Sequence, residues 1–288
     1  MTPAIPLPHH LLIVGGGSRL GRALAAVARG AGVRVTATTR HPGAAGPGTP
    51  LLDLAGDVGG FRPPADADAA VLCAAVTDLR HCAADPALAR RVNHGGITAV
   101  AAACRDAGIF TVFPSTNLVF DGTRPLRRTD EAPSPLTPYG RLKAETEAAL
   151  LAAGGAAVLR LTKVLDPTLP LLAGWAAALR AGQPVRAFHD MVLAPVGPDH
   201  AASALLALAG ARRAGVAHLS GERDLSYHAL AGVLAARLGV PAGLVEAAAR
   251  WDAGIAGDAA PAHTTLFMDG LSGVAASGPV GLDRVRLS

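Results

Sequence analysis

"LLIVGGGSRLGRALAAVARGAG", Leu11 to Gly32, is the stretch on which the fold turns. Four apolar residues, Leu11 to Val14, run straight into three glycines and a serine. The run is short enough for a buried strand and too short for a helix. Arg19 to Gly32 then reads as a helix ended by glycine. A strand, a glycine-rich turn and a helix in that order aim backbone N–H groups and a helix N-terminus at a pyrophosphate. Gly15, Gly17 and Gly21 keep two of the three usual glycine spacings, and Ser18 takes the middle place in G-x-x-G-x-x-G. The turn and its first helical residues, Ser18, Arg19, Leu20 and Gly21, are the expected cradle. A glycine turn alone is a weak signal, but its place after the first strand strengthens it.

Downstream, the same rhythm repeats. "VRVTATT" (33–39) is a second strand, "HPGAAGPGTP" (41–50) a loop, and "LLDL" (51–54) and "AAVLCAAV" (69–76) further strands. Asp85-Pro86 starts a helix that runs to about Asp106, with Asp as N-cap and Pro at the first helical position. "IFTVF" (109–113) is a fifth strand. Alternating strands and helices mean βαβ units and a parallel sheet buried on both faces. After Thr162 the rhythm loosens. A helix begins near Pro167, another spans 198–211, a strand follows at 216–221 and a helix at 225–239. The expected architecture is α/β: a Rossmann, doubly wound parallel sheet with a smaller C-terminal lobe. Residues 1–161 form the dinucleotide-binding body, with 191–221 returning to the sheet. Residues 162–190 and 222–288 form the substrate lobe.

Composition narrows the classes. Half of the 288 residues are hydrophobic and only 3% aromatic. The net charge of +4 comes from scattered arginines, so neither a nucleic acid polymer nor a membrane surface is the expected partner. Cys73, Cys82 and Cys104 lack zinc spacing and read as small core residues of a reduced, cytoplasmic protein. The first ten residues lack a positive n-region, and no long uncharged apolar stretch suggests a membrane span. The ten histidines show no metal spacing, so no metal site is expected. His9-His10 read as exposed, His189-Asp190 as a loop hydrogen bond or, in the alternative, a substrate contact, and Trp175 and Trp251 as packing rather than sugar platforms.

The second strand ends in Thr39-Arg40 rather than in an acid. An acid there would bind a ribose 2′-OH and repel a 2′-phosphate. Arg40 instead offers a planar cation, and Arg19 a second. Together they favour NADPH, with NADH as the alternative. Asp53 either accepts from the adenine amino group, beside Leu54, or is a turn residue.

"VFPSTNLVFDG" (112–122) brings Ser115, Thr116 and Asn117 to the end of an apolar strand. Twenty-three residues past Thr116 comes "PYGRLKAE", with Tyr139 and Lys143 one helical turn apart on a shared face. The chain holds two tyrosines and two lysines against 24 arginines, so this pairing is an improbable accident. An ammonium near a phenol favours the phenolate and lowers its pKa. A lysine also holds a nicotinamide ribose, and a threonine hydroxyl can bond the carbonyl oxygen that the phenol protonates.

With these residues in place, the sequence resembles the extended short-chain dehydrogenase/reductases, in their dTDP-4-dehydrorhamnose reductase-like group. The resemblance covers residues 10–165 well, through "CAAVTDLRHCAADPALARRVNHGG", "PSTNLVFDGTRPLRRTDEAPSPLTPYGRLKAETEAAL" and "VLRLTKV", and the remainder loosely. It implies that Thr116, Tyr139 and Lys143 are catalytic, that Ala74, Ala75 and Thr77 lie beside the cofactor, and that Asn93 has a structural or proton-relay role. The substrate is then a small molecule, a nucleotide sugar, and a homodimer is left open. Asn117 and Leu118 stand where the group carries Asp-Tyr, so a sugar-contacting carboxylate and phenol are missing. The usual C-terminal Arg-Pro segment appears as "PAHTTLFMDGL" (261–271), without its arginine. Lys163 stands where members carry an aromatic residue, facing a substrate anion or solvent. The implied activity is reduction of a keto group on a nucleotide-activated deoxysugar. The alternatives are a non-catalytic nucleotide-binding regulatory subunit, an epimerase, or a reductase of a non-sugar carbonyl in secondary metabolism.

Overall fold

The structure is a computed structural model that describes residues 6–254, 260–269, 281, 283 and 285–287. Parts of the expected C-terminal lobe, at 255–259 and 270–280, lie outside the described residues. The first five strands are β1 (His10–Val14), β2 (Arg34–Ala37), β3 (Ala69–Leu72), β4 (Phe110–Thr116) and β5 (Ala156–Leu161). Four short strands follow: β6 (Lys163–Val164), β7 (Val185–Phe188), β8 (Val192–Leu193) and β9 (Pro195–Val196). Then come β10 (Gly215–Leu219), β11 (Leu225–Ser226) and β12 (Val245–Ala248). One parallel, Rossmann-like sheet has the order β2-β1-β3-β4-β5-β10, with β10 paired to β5 at its edge. The smaller pairs are β6 with β9, β7 with β12 and β8 with β11.

The helices are α1 (Arg19–Gly30), α2 (Leu79–Ala84), α3 (Pro86–Arg90), α4 (Ile97–Asp106), α5 (Pro138–Ala153), α6 (Pro170–Arg180), α7 (Pro198–Ala211) and α8 (Tyr227–Leu238). Side chains alternate across each strand. Leu11, Ile13, Val71 and Val112 therefore pack with Leu24 of α1 and Leu205 of α7 on one face. Leu12, Val14, Leu72 and Phe113 pack with Val100 of α4 and Leu150 of α5 on the other. Two covered faces explain why β1, β3, β4 and β5 are buried along their whole length.

Several expectations change. "LLDL" is not a strand: Leu51 makes only an isolated parallel bridge with Thr39, and Asp53 turns the chain by accepting from the Ala55 N–H at 3.0 Å. The strand expected over 69–76 ends at Leu72. Beyond it the buried Asn93 side chain holds Val76, accepting from its N–H at 2.7 Å and donating to its carbonyl at 2.8 Å. The helix expected from Asp85 to Asp106 keeps both ends and its Asp85 cap, but Arg91–Gly96, which contains Asn93, winds as a π-helix. Such bulges often mark functional places. Helix α2, capped by Asp78, was not expected. The helix expected near Pro167 starts at Pro170, because Asp166 first makes a turn with Thr168. His10 is buried in β1, between Asp66 and Thr36 at 2.9 Å each, not exposed. Trp175 packs in the core, whereas Trp251 is 64% exposed beneath Arg250. Cys82 and Cys104 are buried, and Cys73 is partly exposed. No described helix is long and apolar enough to cross a membrane.

Candidate active site

The strand order reverses between β1 and β3, and their carboxyl ends open one cleft of about 830 Å³. That is where open α/β sheets take their ligands. Its body wall carries Gly17, Ser18, Arg19 and Leu20 after β1, Ala75 and Thr77 after β3, Thr116, Asn117 and Leu118 at the end of β4, Tyr139 and Lys143 from α5, and Lys163 after β5. Met191, Val192, Leu193, Tyr227, Pro261 and Thr264 face them.

The glycine turn is shaped by close approach. Gly15 has φ +85°, and a Cβ there would meet Ala74 at 2.7 Å. A Cβ on Gly17 would meet nothing within 4 Å, so this residue leaves its backbone open. Ser18 replaces the middle glycine without loss because it is the N-cap of α1: its hydroxyl accepts from the Gly21 N–H at 3.0 Å. Gly15, Gly21 and Ala74 thus pack the turn and do not line the cleft. Nor do Thr39, Arg40, Asp53 and Leu54. Arg40 is exposed beyond β2, and Leu54 packs on Gly96.

Two hydroxyls end β4, and their partners tell them apart. Ser115 donates to Glu147, so its proton is used. Thr116 Oγ1 accepts from the Leu118 N–H at 3.2 Å, which leaves the Thr116 O–H free to donate toward the cleft. Helix α5 then starts at a Thr137 cap, with Thr137 Oγ1 accepting from the Gly140 N–H at 3.1 Å. It comes so near Leu118 that a Cβ on Gly140 would lie 2.1 Å from the Leu118 carbonyl oxygen. This contact sets Tyr139 beside Asn117 and Leu118.

Tyr139 is 9% exposed and Lys143 4%. Lys143 Nζ donates to the Pro114 carbonyl at 2.7 Å and lies 5.9 Å from the Tyr139 ring centroid. Burial pushes the Tyr139 phenol up, with Cys82 adding to the effect. The lowering expected from Lys143 is not what the enclosure produces: removal from water penalises the phenolate and sets the direction. The phenol is therefore neutral and can donate its proton. Burial pushes Lys143 down to about 8, while Glu147 first and Cys73 second work in the opposite direction. Burial also pushes the Cys73 thiol up to about 12.

At the mouth, Lys163 keeps contact with solvent. Desolvation by the cleft walls and the nearby Arg19 charge hold its ammonium below the usual lysine value. Partial burial raises the Asp166 carboxyl, but bonds from Thr168 and the charges of Arg19 and Arg22 outweigh that and hold it low. His189-Asp190 precedes Met191 but does not itself line the cleft, and Asp190 accepts from the Arg250 N–H at 2.9 Å. Tyr227, Met191 and Thr264 had no motif to mark them, since their elements meet the body only in the fold. Among the described residues no group of three His, Cys, Asp or Glu is placed to hold a metal ion.

The profile of the family described as RmlD substrate binding domain matches residues 9–266. This chain belongs to that family. Within the RmlD family's reach, it is 38% identical over 141 residues to a protein of Streptomyces niveus named dTDP-4-keto-6-deoxy-D-glucose reductase, covering 49% of this chain and 46% of that one. It is also 37% identical over 108 residues to methionine adenosyltransferase 2 subunit beta of Xenopus tropicalis, 32% of each chain. The match thus spans half or less of these curated relatives. A solved structure of dTDP-4-dehydrorhamnose reductase from Bacillus anthracis str. Ames, in complex with NADP, superposes with a TM-score of 0.77 at 17% identity over 91% of both chains. At that identity it shows the shared fold.

Proposed function

We propose that this RmlD-family chain is an NADPH-dependent reductase of a keto group on a nucleotide-activated deoxysugar. The observation that carries the reading is the meeting of Thr116, Tyr139 and Lys143 with the open backbone of Gly17 in one cleft. The residues fit a dinucleotide: the Ser18-capped start of α1 offers backbone N–H groups to a pyrophosphate, and Arg19 offers a cation. Bound NADPH supplies the hydride. The chain's own residues do the rest. Tyr139, neutral through burial, donates its proton to the carbonyl oxygen as that oxygen gains charge. Thr116 donates a hydrogen bond to the same oxygen, and Lys143 offers its ammonium to the nicotinamide ribose and to the phenolate left behind. Product is an alcohol, and the phenolate regains its proton from solvent.

The name of the Streptomyces niveus relative and the NADP in the Bacillus anthracis structure support substrate and cofactor. The facing wall is largely apolar at Met191, Val192, Leu193 and Pro261, with Leu118 opposite, which supports a sugar deoxygenated on that side. A regulatory subunit is the second reading, favoured by the likeness to the Xenopus tropicalis subunit and by the lost Asp-Tyr pair. A screen of nucleotide 4-keto-6-deoxysugars, following loss of NADPH absorbance, separates them. One alcohol per NADPH consumed supports the reductase; tight cofactor binding without turnover on any keto-sugar supports the subunit.

A further inference from the structure

Beneath the cleft lies a buried charged group that the reaction as described does not use. Glu147 sits one helical turn after Lys143 on α5 and is 2% exposed. Its carboxylate accepts from Ser115, from Arg160 Nε at 3.0 Å and from Arg160 Nη2 at 2.8 Å. Residues i and i+4 share a helix face, so Lys143 and Glu147 both point at the end of β4. Lys143 grips the Pro114 carbonyl there, and Glu147 grips the very next side chain, Ser115. The following residue is Thr116. Pro114 and Ser115, next to the end of β4, are thus held to α5 by one cation and one carboxylate, with Thr116 left free for the cleft.

A buried ammonium is costly unless a negative charge is near. The titratable and charged groups facing Lys143 are Glu147 and Tyr139 from α5, Cys73 from the end of β3 and, through Glu147, Arg160 from β5. Tyr139 and Cys73 are neutral thanks to burial, so Glu147 is the one carboxylate among them. Arg160 has its own need for that carboxylate, since its Nη1 is buried without a partner.

We propose that Glu147 is a positioning residue: the buried counter-charge that keeps Lys143 cationic and clamps the end of β4 so that Thr116 faces the cleft. It touches neither substrate nor cofactor. Ser115 is its anchor on the strand, which gives the first of the two strand-end hydroxyls a role separate from that of Thr116.

The test uses the fact that the chain has two lysines, Lys143 and Lys163. Protein carrying ¹³C at the lysine ε-carbons gives two NMR signals, and Lys163→Met assigns them. In the full chain the Lys143 signal titrates near pH 8. In Glu147→Gln it titrates at lower pH, because a neighbouring opposite charge has been removed. Glu147→Asp, which keeps the charge, restores much of the midpoint. Glu147→Gln leaves the Arg160 guanidinium unpaired and can fail to fold, so Glu147→Gln/Arg160→Met is made beside it. Arg160→Met alone removes the cation bonded to the same carboxylate, so the double variant is compared with that single variant, and its Lys143 midpoint lies lower. The kinetic arm rests on the reductase reading. The alkaline fall of kcat/KM moves to lower pH in the same variants, so that their activity relative to the parent drops roughly tenfold between pH 6.5 and pH 8.5. A Lys143 midpoint no lower in the folded double variant than in Arg160→Met overturns the proposal, whatever the kinetics. A lowered midpoint upholds it, and if the parent chain then reduces no keto-sugar, it is the reductase reading that falls.

Discussion

Gly140→Ala tests whether the start of α5 is set by backbone contact. The added Cβ would stand 2.1 Å from the Leu118 carbonyl oxygen, 3.0 Å from its carbon and 3.2 Å from Pro135 Cβ. Close carbon–oxygen approaches in proteins run at about 3.3 Å, so the helix and the Asn117–Val119 turn must separate by roughly 1 Å. The obstacle is backbone, with no rotamer to give way. Alanine gains about 1 kcal/mol of helix propensity over glycine. Overpacking costs about 1–3 kcal/mol, so the net loss of stability is about 0–2 kcal/mol. Activity suffers more. Tyr139 precedes Gly140, and Thr116 is bonded to Leu118, so the clash separates the two groups that meet at the carbonyl oxygen. A displacement of about 1 Å in such a pair costs roughly a hundredfold in rate. The expected result is a Tm lowered by a few degrees, NADPH affinity within a few fold of the parent, and kcat down by about two orders of magnitude. Calorimetry, cofactor titration and steady-state kinetics read the three. A variant with parental Tm and parental kcat would refute the contact as the device that places Tyr139.

Tyr139→Phe keeps the ring and removes the proton donor, so cofactor binding survives while turnover falls by roughly 10²–10⁴; full activity would assign the acid elsewhere. Arg19→Ala weakens NADPH by roughly tenfold and leaves NADH nearly unchanged, as a lost charge-assisted bond to a 2′-phosphate should, whereas Arg40→Ala, outside the cleft, has the smaller effect; equal affinity of the parent for both cofactors by calorimetry would sink the argument from Arg19. Asn117→Asp/Leu118→Tyr moves kcat/KM toward the rhamnose precursor and away from more deoxygenated keto-sugars, since a site built around polar groups rejects analogues that lack them; a parental preference for that precursor, unchanged in the double variant, would show that these positions do not set specificity.

Where the sequence was misleading, a tertiary contact had intervened. Asn93 looks like any helical asparagine along the chain. In the fold it sits in a π-turn, and the oxygen and nitrogen of its side-chain amide both hold Val76 in the loop beyond β3, beside the cleft. "LLDL" has the apolar character of a strand, yet Leu52 and Leu54 bury themselves without a ladder. His10 gives no local sign of burial, because Asp66 and Thr36 reach it from 56 and 26 residues away.

By itself the sequence determined the features whose cause is local. Apolar runs of strand length, glycine at the first turn, Pro and Asp at helix starts, and a tyrosine and lysine one turn apart announce the parallel sheet and the residues that meet at its carboxyl edge. Periodicity and backbone sterics act over a few residues, so they can be read from a few residues. Only the tertiary structure decided which hydroxyl is free, how the phenol and ammonium titrate, and what faces them. Ser115 and Thr116 are neighbours of the same chemical kind, and it is Glu147, 32 residues away from Ser115, that claims one and leaves the other. The Tyr139 phenol is high and the Lys143 ammonium low because packing takes both from water, and that cost depends on the whole enclosure rather than on any neighbour in sequence.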